Sequence, residues 1–273
     1  MKILAIDFTG IYENEGFSFQ NGNGSRSLLM NPDEGRKVNT VSFKDISGTN
    51  CICDDYACGA IKERLKECGA SDSYIRFFDN GNFHYMSKLL IDDLFENGEA
   101  GEAVKDGFNL IVFDHHPDMK WTSYGDILSC GSWVLNTIKD RSELSKVFII
   151  GADEKLISEV WEEHSELKEK VFFLKDVSGL EAIEGAFSKP VYLSVDKDVL
   201  SDEILATNWD QGDMSLDTFK ESISFLKDKL GDKIMAVDVC GEAATDDDRL
   251  FSELGIEASN MVNCIIVNEF SKE

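Results

Sequence analysis

The sequence lacks any apolar run long enough to cross a membrane, since a transmembrane helix needs about 20 mostly apolar residues. It also lacks a secretory leader, because Met1 to Phe8 leads into a strand instead of forming a signal peptide. Both absences favour a cytoplasmic protein.

Basic residues are few. Lys and Arg number 27 against 52 Asp and Glu, which gives a net charge of −25. Such a charge argues against nucleic acid and against an anionic membrane surface as partners. It is compatible with a small cationic substrate.

The cysteines lack the spacing of a zinc site. Of the seven, only Cys51, Cys53 and Cys58 lie close together, and their spacing is not that of a zinc knuckle or ribbon. In a reducing compartment they are expected to be free thiols.

Internal repeats, low-complexity tracts and interdomain linkers are also missing from the 273 residues. The hydrophobic content of 42% is enough for a large core in spite of the acidic excess. We therefore expect one α/β domain over residues 1–273.

Segments with strand character alternate with segments of helical pattern along most of the chain. This alternation predicts right-handed crossovers and a three-layer αβα sandwich around a mostly parallel sheet. The polar, Gly-rich residues 9–36 are interpreted mostly as a loop. The predicted strands are Lys2–Asp7, Val38–Phe43, Ser73–Phe78, Leu110–Phe113, Lys146–Ile150, Val171–Leu174, Val191–Val195 and Ile234–Val239.

The stretch from Asn109 to Asp118 (NLIVFDHHPD) combines a buried strand with a polar end. In extended backbone, Asp114, His116 and Asp118 would project to one side and His115 to the other. Ligands of open α/β sheets bind beyond the carboxyl ends of strands. The pattern therefore predicts a metal site.

Two further strand ends carry side chains of the same kind: His84 in one, and Asp196 and Asp198 in the other. Four carboxylates and two imidazoles could hold two divalent cations. A set of oxygen and nitrogen donors without sulfur favours Mn²⁺ or a related ion. Two such ions about 3.5–4 Å apart would ionise a shared water near neutral pH.

These segments resemble the signatures of the arginase, agmatinase and formiminoglutamase family of ureohydrolases. The family's Gly-Gly-Asp-His corresponds to Gly81–His84, its Asp-Ala-His-x-Asp to Asp114–Asp118, and its Ser-x-Asp-x-Asp to Ser194–Asp198. The resemblance covers roughly the last three quarters of the chain. It implies an arginase-like fold, two Mn²⁺ ions and an oligomer, commonly a trimer or hexamer in the family.

The resemblance also implies roles for the ligands. Asp114 and Asp196 would bridge both ions, His84 and Asp118 would complete one coordination shell, and His116 and Asp198 the other. The reaction implied is hydrolysis of a small guanidino or amidino substrate to urea or formamide and an amine.

Two positions outside the ligand set bear on the reaction. Family members place a glutamate against the guanidinium, and the corresponding residue here is Asp238, with Glu242 as its competitor. Cys130 stands where arginases and agmatinases carry a proton-shuttling His. Asp118, Asp238 and Cys130 are accordingly the candidate catalytic residues.

The exchange of His for Cys130 keeps two alternatives open beside C–N hydrolysis of guanidino compounds. One is a metal-binding protein with lost or changed activity that acts in binding or regulation. The other is deacetylation on the same fold, because a hydroxide would also attack an amide carbonyl.

Overall fold

The computed structural model of the chain describes residues 1–14, 17, 37–98, 104, 106–121, 127–247 and 250–271. Most of the predicted loop at residues 9–36 therefore lies outside the described residues. Within the described beginning of that loop, Ile11–Asn14 forms a short helix. None of the described helices is long and apolar enough to cross a membrane.

Strands and helices alternate along the described ranges, as the sequence predicts. The strands are β1 (Ile3–Asp7), β2 (Val38–Ser42), β3 (Ile52–Cys53), β4 (Ile75–Phe77), β5 (Phe108–Phe113), β6 (Leu128–Ser129), β7 (Leu144–Ile150), β8 (Val171–Leu174), β9 (Val191–Asp196) and β10 (Ile234–Cys240). The α-helices are α1 (Ile11–Asn14), α2 (Asp55–Cys68), α3 (Met86–Asn97), α4 (Trp133–Asp140), α5 (Glu154–Glu163), α6 (Leu216–Leu230) and α7 (Glu253–Phe270).

Eight of these strands form one sheet in the order β2-β1-β4-β10-β9-β5-β7-β8. Every pairing in it is parallel. The expected three-layer α/β architecture with a parallel central sheet is confirmed. The short strands β3 and β6, which the sequence pattern does not reveal, form a separate antiparallel pair.

The core lies on both faces of the sheet because successive side chains of a strand point to opposite faces. In β5, Leu110 and Val112 pack with α2, α3 and α4, whereas Ile111 and Phe113 pack with α6 and α7. All six residues of β5 are buried. Covering on both faces explains why the strand is continuously apolar.

Helix ends follow the local sequence signals. The Asp54 carboxylate accepts a hydrogen bond from the Ala57 amide at the start of α2, and Gly69 ends that helix with φ 67°. Asp153 caps α5 in the same manner, and its carboxylate accepts hydrogen bonds from the amides of Lys155 and Leu156.

Candidate metal centre

The predicted ligands lie at the carboxyl edge of four neighbouring central strands, β4, β10, β9 and β5. Because these strands are parallel, the loops that follow them leave the sheet on the same side. His84 follows β4, the Asp114–Asp118 segment follows β5, and Asp196 ends β9. The sheet order therefore joins segments that are far apart in sequence.

His84 is held by a tight turn between β4 and α3. The Asn80 side chain caps the single 3₁₀ turn Gly81–Phe83 through the Asn82 amide. Before it, the buried Asp79 carboxylate accepts hydrogen bonds from the amides of Phe8 and Thr9. These contacts fix the loop against the end of β1 and leave the His84 ring pointing into the cluster.

The Asp114–Asp118 segment departs from the extended backbone that the sequence predicts. The strand ends at Phe113, and Asp118 adopts a left-handed conformation with φ 51°. Its carboxylate still reaches the cluster, where Trp133 Nε1 donates a hydrogen bond of 2.6 Å to Oδ2. The side chains of Asp114, His116 and Asp118 thus converge through a turn and not through a strand period.

Asp196 and Asp198 flank Lys197, whose side chain points away from them toward Glu242. The Asp198 amide donates to Asp196 Oδ1 at 3.1 Å, which tightens the chain into a 3₁₀ turn. Lys197 is fully buried, and its Nζ lies 2.6 Å from Glu242 Oε2. This ion pair fixes the turn on the side opposite the two carboxylates.

The ligand atoms form two groups that share Asp114. His84, Asp114 and Asp118 offer atoms that all lie within 4.8 Å of one another, and so do Asp114, His116 and Asp198. Nδ1 of His84 is 3.0 Å from Asp118 Oδ2, 3.1 Å from Asp114 Oδ2 and 3.4 Å from Asp196 Oδ2. Nδ1 of His116 is 2.9 Å from Asp198 Oδ2 and 3.5 Å from Asp114 Oδ1. Asp114 therefore lies between the two histidines.

The donor set fits a pair of divalent cations. A ring nitrogen carries at most one proton, so Nδ1 of His84 cannot serve three carboxylates by hydrogen bonding. In addition, Asp114 Oδ2 is buried without a hydrogen-bond partner. Buried charges are normally paired or coordinate a metal, and a cation between these atoms would satisfy them together.

The electrostatics agree with an excess of negative charge. Burial, and then the charge of Asp114, raise the pKa of Asp118 to about 7. Burial lowers the pKa of His116, but hydrogen bonds to Asp114 and Asp198 outweigh it and raise that pKa to about 11. The cluster thus attracts positive charge, whether a proton or a metal ion.

The cluster forms the floor of a cavity of about 430 Å³. Its wall is acidic and aromatic, and Trp209 contacts the His116 ring at a centroid distance of 5.8 Å. The residues that line the cavity include Gly81, Lys120, Trp121, Cys130, Leu156, Glu159, Val160, Glu163 and Trp209. Apart from the ligands, the wall holds two acidic residues, Glu159 and Glu163, and one basic residue, Lys120, which lies 3.8 Å from Glu159.

The structure brings the six predicted ligands and Cys130 to this cavity but not Asp238. The predicted last strand ends at Val239, whereas the observed β10 continues to Cys240. Asp238 therefore lies two residues before the end of the strand, where it is fully buried. Tyr192 Oη and Ser87 Oγ donate hydrogen bonds to the Asp238 carboxylate at 2.6 and 3.1 Å. Burial raises its pKa.

The competitor Glu242 also lies outside the cavity lining. It is fully buried between Lys197 and α7, where Asn263 Nδ2 donates to Oε1 at 2.9 Å. His115 points away from the ligands, as expected. Its buried Nδ1 makes no hydrogen bond.

Three further side chains belong to the site, of which the sequence does not indicate Cys240 and Trp133. Cys240 lies with its Sγ 3.1 Å from Asp196 Oδ2 and forms a third ligand-like group with His84 and Asp196. Trp133 binds Asp118, and Trp209 covers Gly81, where a Cβ atom would lie 2.7 Å from the indole ring. The only signal for Cys240 is its place at the end of the last strand, two residues after Asp238.

Comparisons of sequence find few relatives. No family model matches the chain. An uncharacterized protein of Thermotoga maritima is 29% identical over 168 residues, which are 62% of this chain and 58% of that protein's length.

Comparisons of structure are more extensive. A formimidoylglutamase of Bacillus subtilis superposes with a TM-score of 0.70 at 14% identity, over 99% of this chain and 86% of that one. A putative agmatinase of Clostridium difficile gives 0.68 at 15% identity, over 98% and 96% of the two chains. An arginase of Bacillus cereus gives 0.63 at 15% identity, over 100% and 99%. The chain therefore has the fold shared by arginases, agmatinases and formimidoylglutamases.

Proposed function

We propose that the protein is a divergent member of the ureohydrolase family, a hydrolase that uses two divalent cations, with Mn²⁺ preferred, to cleave a C–N bond of a small guanidino or amidino compound. The observation that carries the proposal is the convergence of six ligand side chains around Asp114. It is supported by an arginase-like fold and by the match of the ligand residues to the family's signatures.

The chain would hold the ions in two shells joined by Asp114. His84 and Asp118 belong to one shell and His116 and Asp198 to the other, while Asp196 lies nearest His84. When bound, two such ions ionise water near neutral pH and thereby supply a nucleophile.

The protein's own side chains orient these ligands. Trp133 holds Asp118 through its indole N–H, and Ser194 Oγ lies 3.1 Å from Nε2 of His84. Such contacts fix the ring orientation and the free lone pair of a ligand. With all of these groups buried, the ligand positions are set before a substrate enters.

The cavity wall suits a cationic, planar substrate. Glu159 and Glu163 line it together with the ligand carboxylates, and the partly exposed Trp209 also belongs to the lining. A guanidinium group can lie against an indole face while carboxylates attract its charge. The excess acid of the wall would also repel anionic compounds.

A second candidate function is metal-dependent binding without hydrolysis. It is favoured by Cys130, because no described lining residue other than the ligands His84 and His116 is a histidine that could shuttle a proton. A thiol with a raised pKa is a poor proton shuttle at neutral pH, and burial together with a hydrogen bond to Cys51 raises the pKa of Cys130.

The test combines metal analysis with turnover. The purified chain is loaded with Mn²⁺, its metal content is measured, and release of urea or formamide is followed with a panel of guanidino and formimino compounds. We expect two ions per chain and turnover of at least one compound. His116→Ala should lose one ion and all turnover, whereas His115→Ala, the matched control, should keep both ions. Two bound ions with no turnover of any compound would favour the binding function, and no bound metal would refute both.

A further inference from the structure

Four cysteines lie in two pairs around the strands β3 and β6. The strands β3 and β6 place Ile52 opposite Ser129, and Cys51 and Cys130 are the residues next to this pair, with Cys51 in a left-handed conformation of φ 61°. The Cys130 amide donates to the Cys51 carbonyl at 2.9 Å. In the second pair, the Sγ atoms of Cys53 and Cys58 are 3.0 Å apart.

The pair Cys51–Cys130 has the properties of a reactive dithiol. Cys51 is partly exposed, and a hydrogen bond from the Cys130 thiol lowers the pKa of Cys51 to about 7. The lowered pKa favours the thiolate of Cys51, which is the nucleophilic form. The backbone hydrogen bond from Cys130 to Cys51 keeps the two residues adjacent, and a disulfide requires such proximity.

We propose that Cys51 is a peroxide-reactive cysteine and that Cys130 is the residue that resolves it into a disulfide. The Cys51 thiolate attacks one oxygen of hydrogen peroxide, the O–O bond breaks, and protonation of the departing hydroxide gives water and a sulfenic acid on Cys51. The Cys130 thiol then attacks that sulfur, loses its proton and expels a second water. Two thiols are oxidised by two electrons, and one peroxide is reduced to two waters.

The position of Cys130 gives this oxidation a consequence for the cavity. Cys130 lines the cavity wall, and the adjacent Gly131 carbonyl accepts a hydrogen bond from the Lys120 amide at 2.9 Å. A bridge to Cys51 would draw the Cys130 sulfur toward β3 and change the wall next to the ligand segment. The inference itself rests on the two thiols alone and is independent of whether the site hydrolyses a substrate.

The pair Cys53–Cys58 is the natural competitor, because its sulfur atoms are close. Cys53 is buried, and a hydrogen bond with Cys58 together with burial raises its pKa, whereas the same hydrogen bond lowers the pKa of the half-buried Cys58. Each pair therefore holds one thiol with a lowered pKa, and peptide mapping has to distinguish the bridge of one pair from that of the other.

The experiment treats the reduced, full-length protein with one equivalent of hydrogen peroxide at pH 7. The products are then read by intact mass and by peptide mapping without reduction. The wild type should lose two mass units and yield a peptide pair crosslinked between Cys51 and Cys130. In Cys130→Ser, the sulfenic acid on Cys51 should persist and be trapped by dimedone. In Cys51→Ser, Cys130 should stay reduced. Cys68→Ser is the matched control, because Cys68 lies at the far end of α2, and its crosslink should equal that of the wild type.

Two outcomes would overturn the proposal. One is a bridge between Cys53 and Cys58 that forms while Cys51 and Cys130 remain reduced. The other is alkylation of Cys51 by iodoacetamide at a rate no higher than that of Cys68 in the same folded sample, since a thiolate at neutral pH must react faster.

Discussion

Asp238 is tied to His84 by a chain of hydrogen bonds through two serines. Ser87 Oγ donates to Asp238 Oδ1 at 3.1 Å and lies 3.0 Å from Ser194 Oγ, which in turn lies 3.1 Å from Nε2 of His84. A carboxylate at the end of such a chain orients a metal-binding imidazole without touching the substrate. This geometry gives Asp238 a positioning role where the sequence comparison suggested a contact to the guanidinium.

The two roles of Asp238 predict different kinetics for Asp238→Asn. If Asp238 positions His84, the substitution should weaken Mn²⁺ binding by about 10- to 100-fold and leave KM unchanged once metal is saturating. The measurement is a Mn²⁺ titration followed by steady-state kinetics on the loaded protein. A raised KM with unchanged metal affinity would instead restore the substrate contact.

The ligand residues show which features of the site can be predicted from the sequence. The types and order of Asp114, His116 and Asp118 were sufficient to predict that they meet, since strand ends of a parallel sheet share one edge. The backbone that joins them was predicted wrongly, because Pro117 and the left-handed Asp118 replace the strand by a turn. Trp133 and Cys240 could not be predicted, because their contacts depend on the packing of α4 and on the length of β10.

Gly241 determines the path of the backbone at the end of β10. This residue has φ 87°, and a Cβ atom on it would lie 2.7 Å from Asp196 Oδ1 and 2.8 Å from the Lys197 amide nitrogen. The chain can therefore pass this close to a ligand only without a side chain. The close approach joins the last strand to the turn that carries Asp196 and Asp198.

Gly241→Ala should consequently destabilise the fold by about 1–3 kcal/mol and reduce Mn²⁺ affinity, since Asp196 must move. Gly59→Ala is the matched control. Gly59 lies in α2 with no atom within 4 Å of its would-be Cβ, so that substitution should stabilise the helix by about 0.5–1 kcal/mol. Urea unfolding and metal titration of both variants check the prediction, and equal behaviour of the two would contradict it.

Helices α3 and α4 are joined by a buried ionic cluster around Asp92. Arg141 Nε donates to Asp92 Oδ1 at 2.8 Å, and Lys88 Nζ donates to Oδ2 at 3.0 Å. Burial raises the pKa of Asp92, but the charges of Lys88 and Arg141 outweigh it and lower the pKa below 3.8. The ionised carboxylate therefore stabilises the folded state.

Asp92→Asn should lower the free energy of unfolding at pH 7 by about 1.5–3 kcal/mol, since Lys88 and Arg141 lose their charged hydrogen-bond partner and keep only Asp140 and Glu96, respectively. For a carboxyl with a depressed folded pKa, this stabilisation is fully present above the unfolded pKa of 3.8 and is lost as the pH falls through the folded pKa. The difference between wild type and variant should thus be constant from pH 7 to about pH 5 and shrink below pH 3.8. Denaturant unfolding across this range is the measurement, and a difference that grows in acid would contradict the assignment.

The sequence predicts the order of strands and helices along the chain, but it does not predict which strands are neighbours in the sheet. Continuous apolar runs such as Leu110–Phe113 identify buried strands, and all eight predicted strands are observed, although Val38–Phe43 is not such a run and β2 is largely exposed. The sequence does not reveal that β10 inserts between β4 and β9, because strand order depends on which helices cover which face. The pair β3–β6 was missed because two-residue strands carry no periodicity.

The candidate centre carries an excess of negative charge, as the entire chain does. The net charge is −25, and the buried carboxylates Asp114, Asp118, Asp196 and Asp198 add mutual repulsion at one edge of the sheet. Repulsion of this kind weakens the compact state. A pair of divalent cations would offset the four charges at the place where the central strands end.

Metal binding should therefore raise the stability of the complete fold. A ligand that binds only the folded state stabilises it by about 2.7 kcal/mol for each site when present at 100 times its dissociation constant. For a chain of this size, 1 kcal/mol shifts Tm by about 2–4 °C, so Mn²⁺ should raise Tm by at least about 5 °C. Thermal unfolding with Mn²⁺ and with NaCl at matched ionic strength separates binding from charge screening. Asp198→Asn removes one ligand from the His116 group and should retain only part of the shift. If the wild type and this variant gain equally from Mn²⁺, the ions act on surface charge and the six side chains do not form a metal centre.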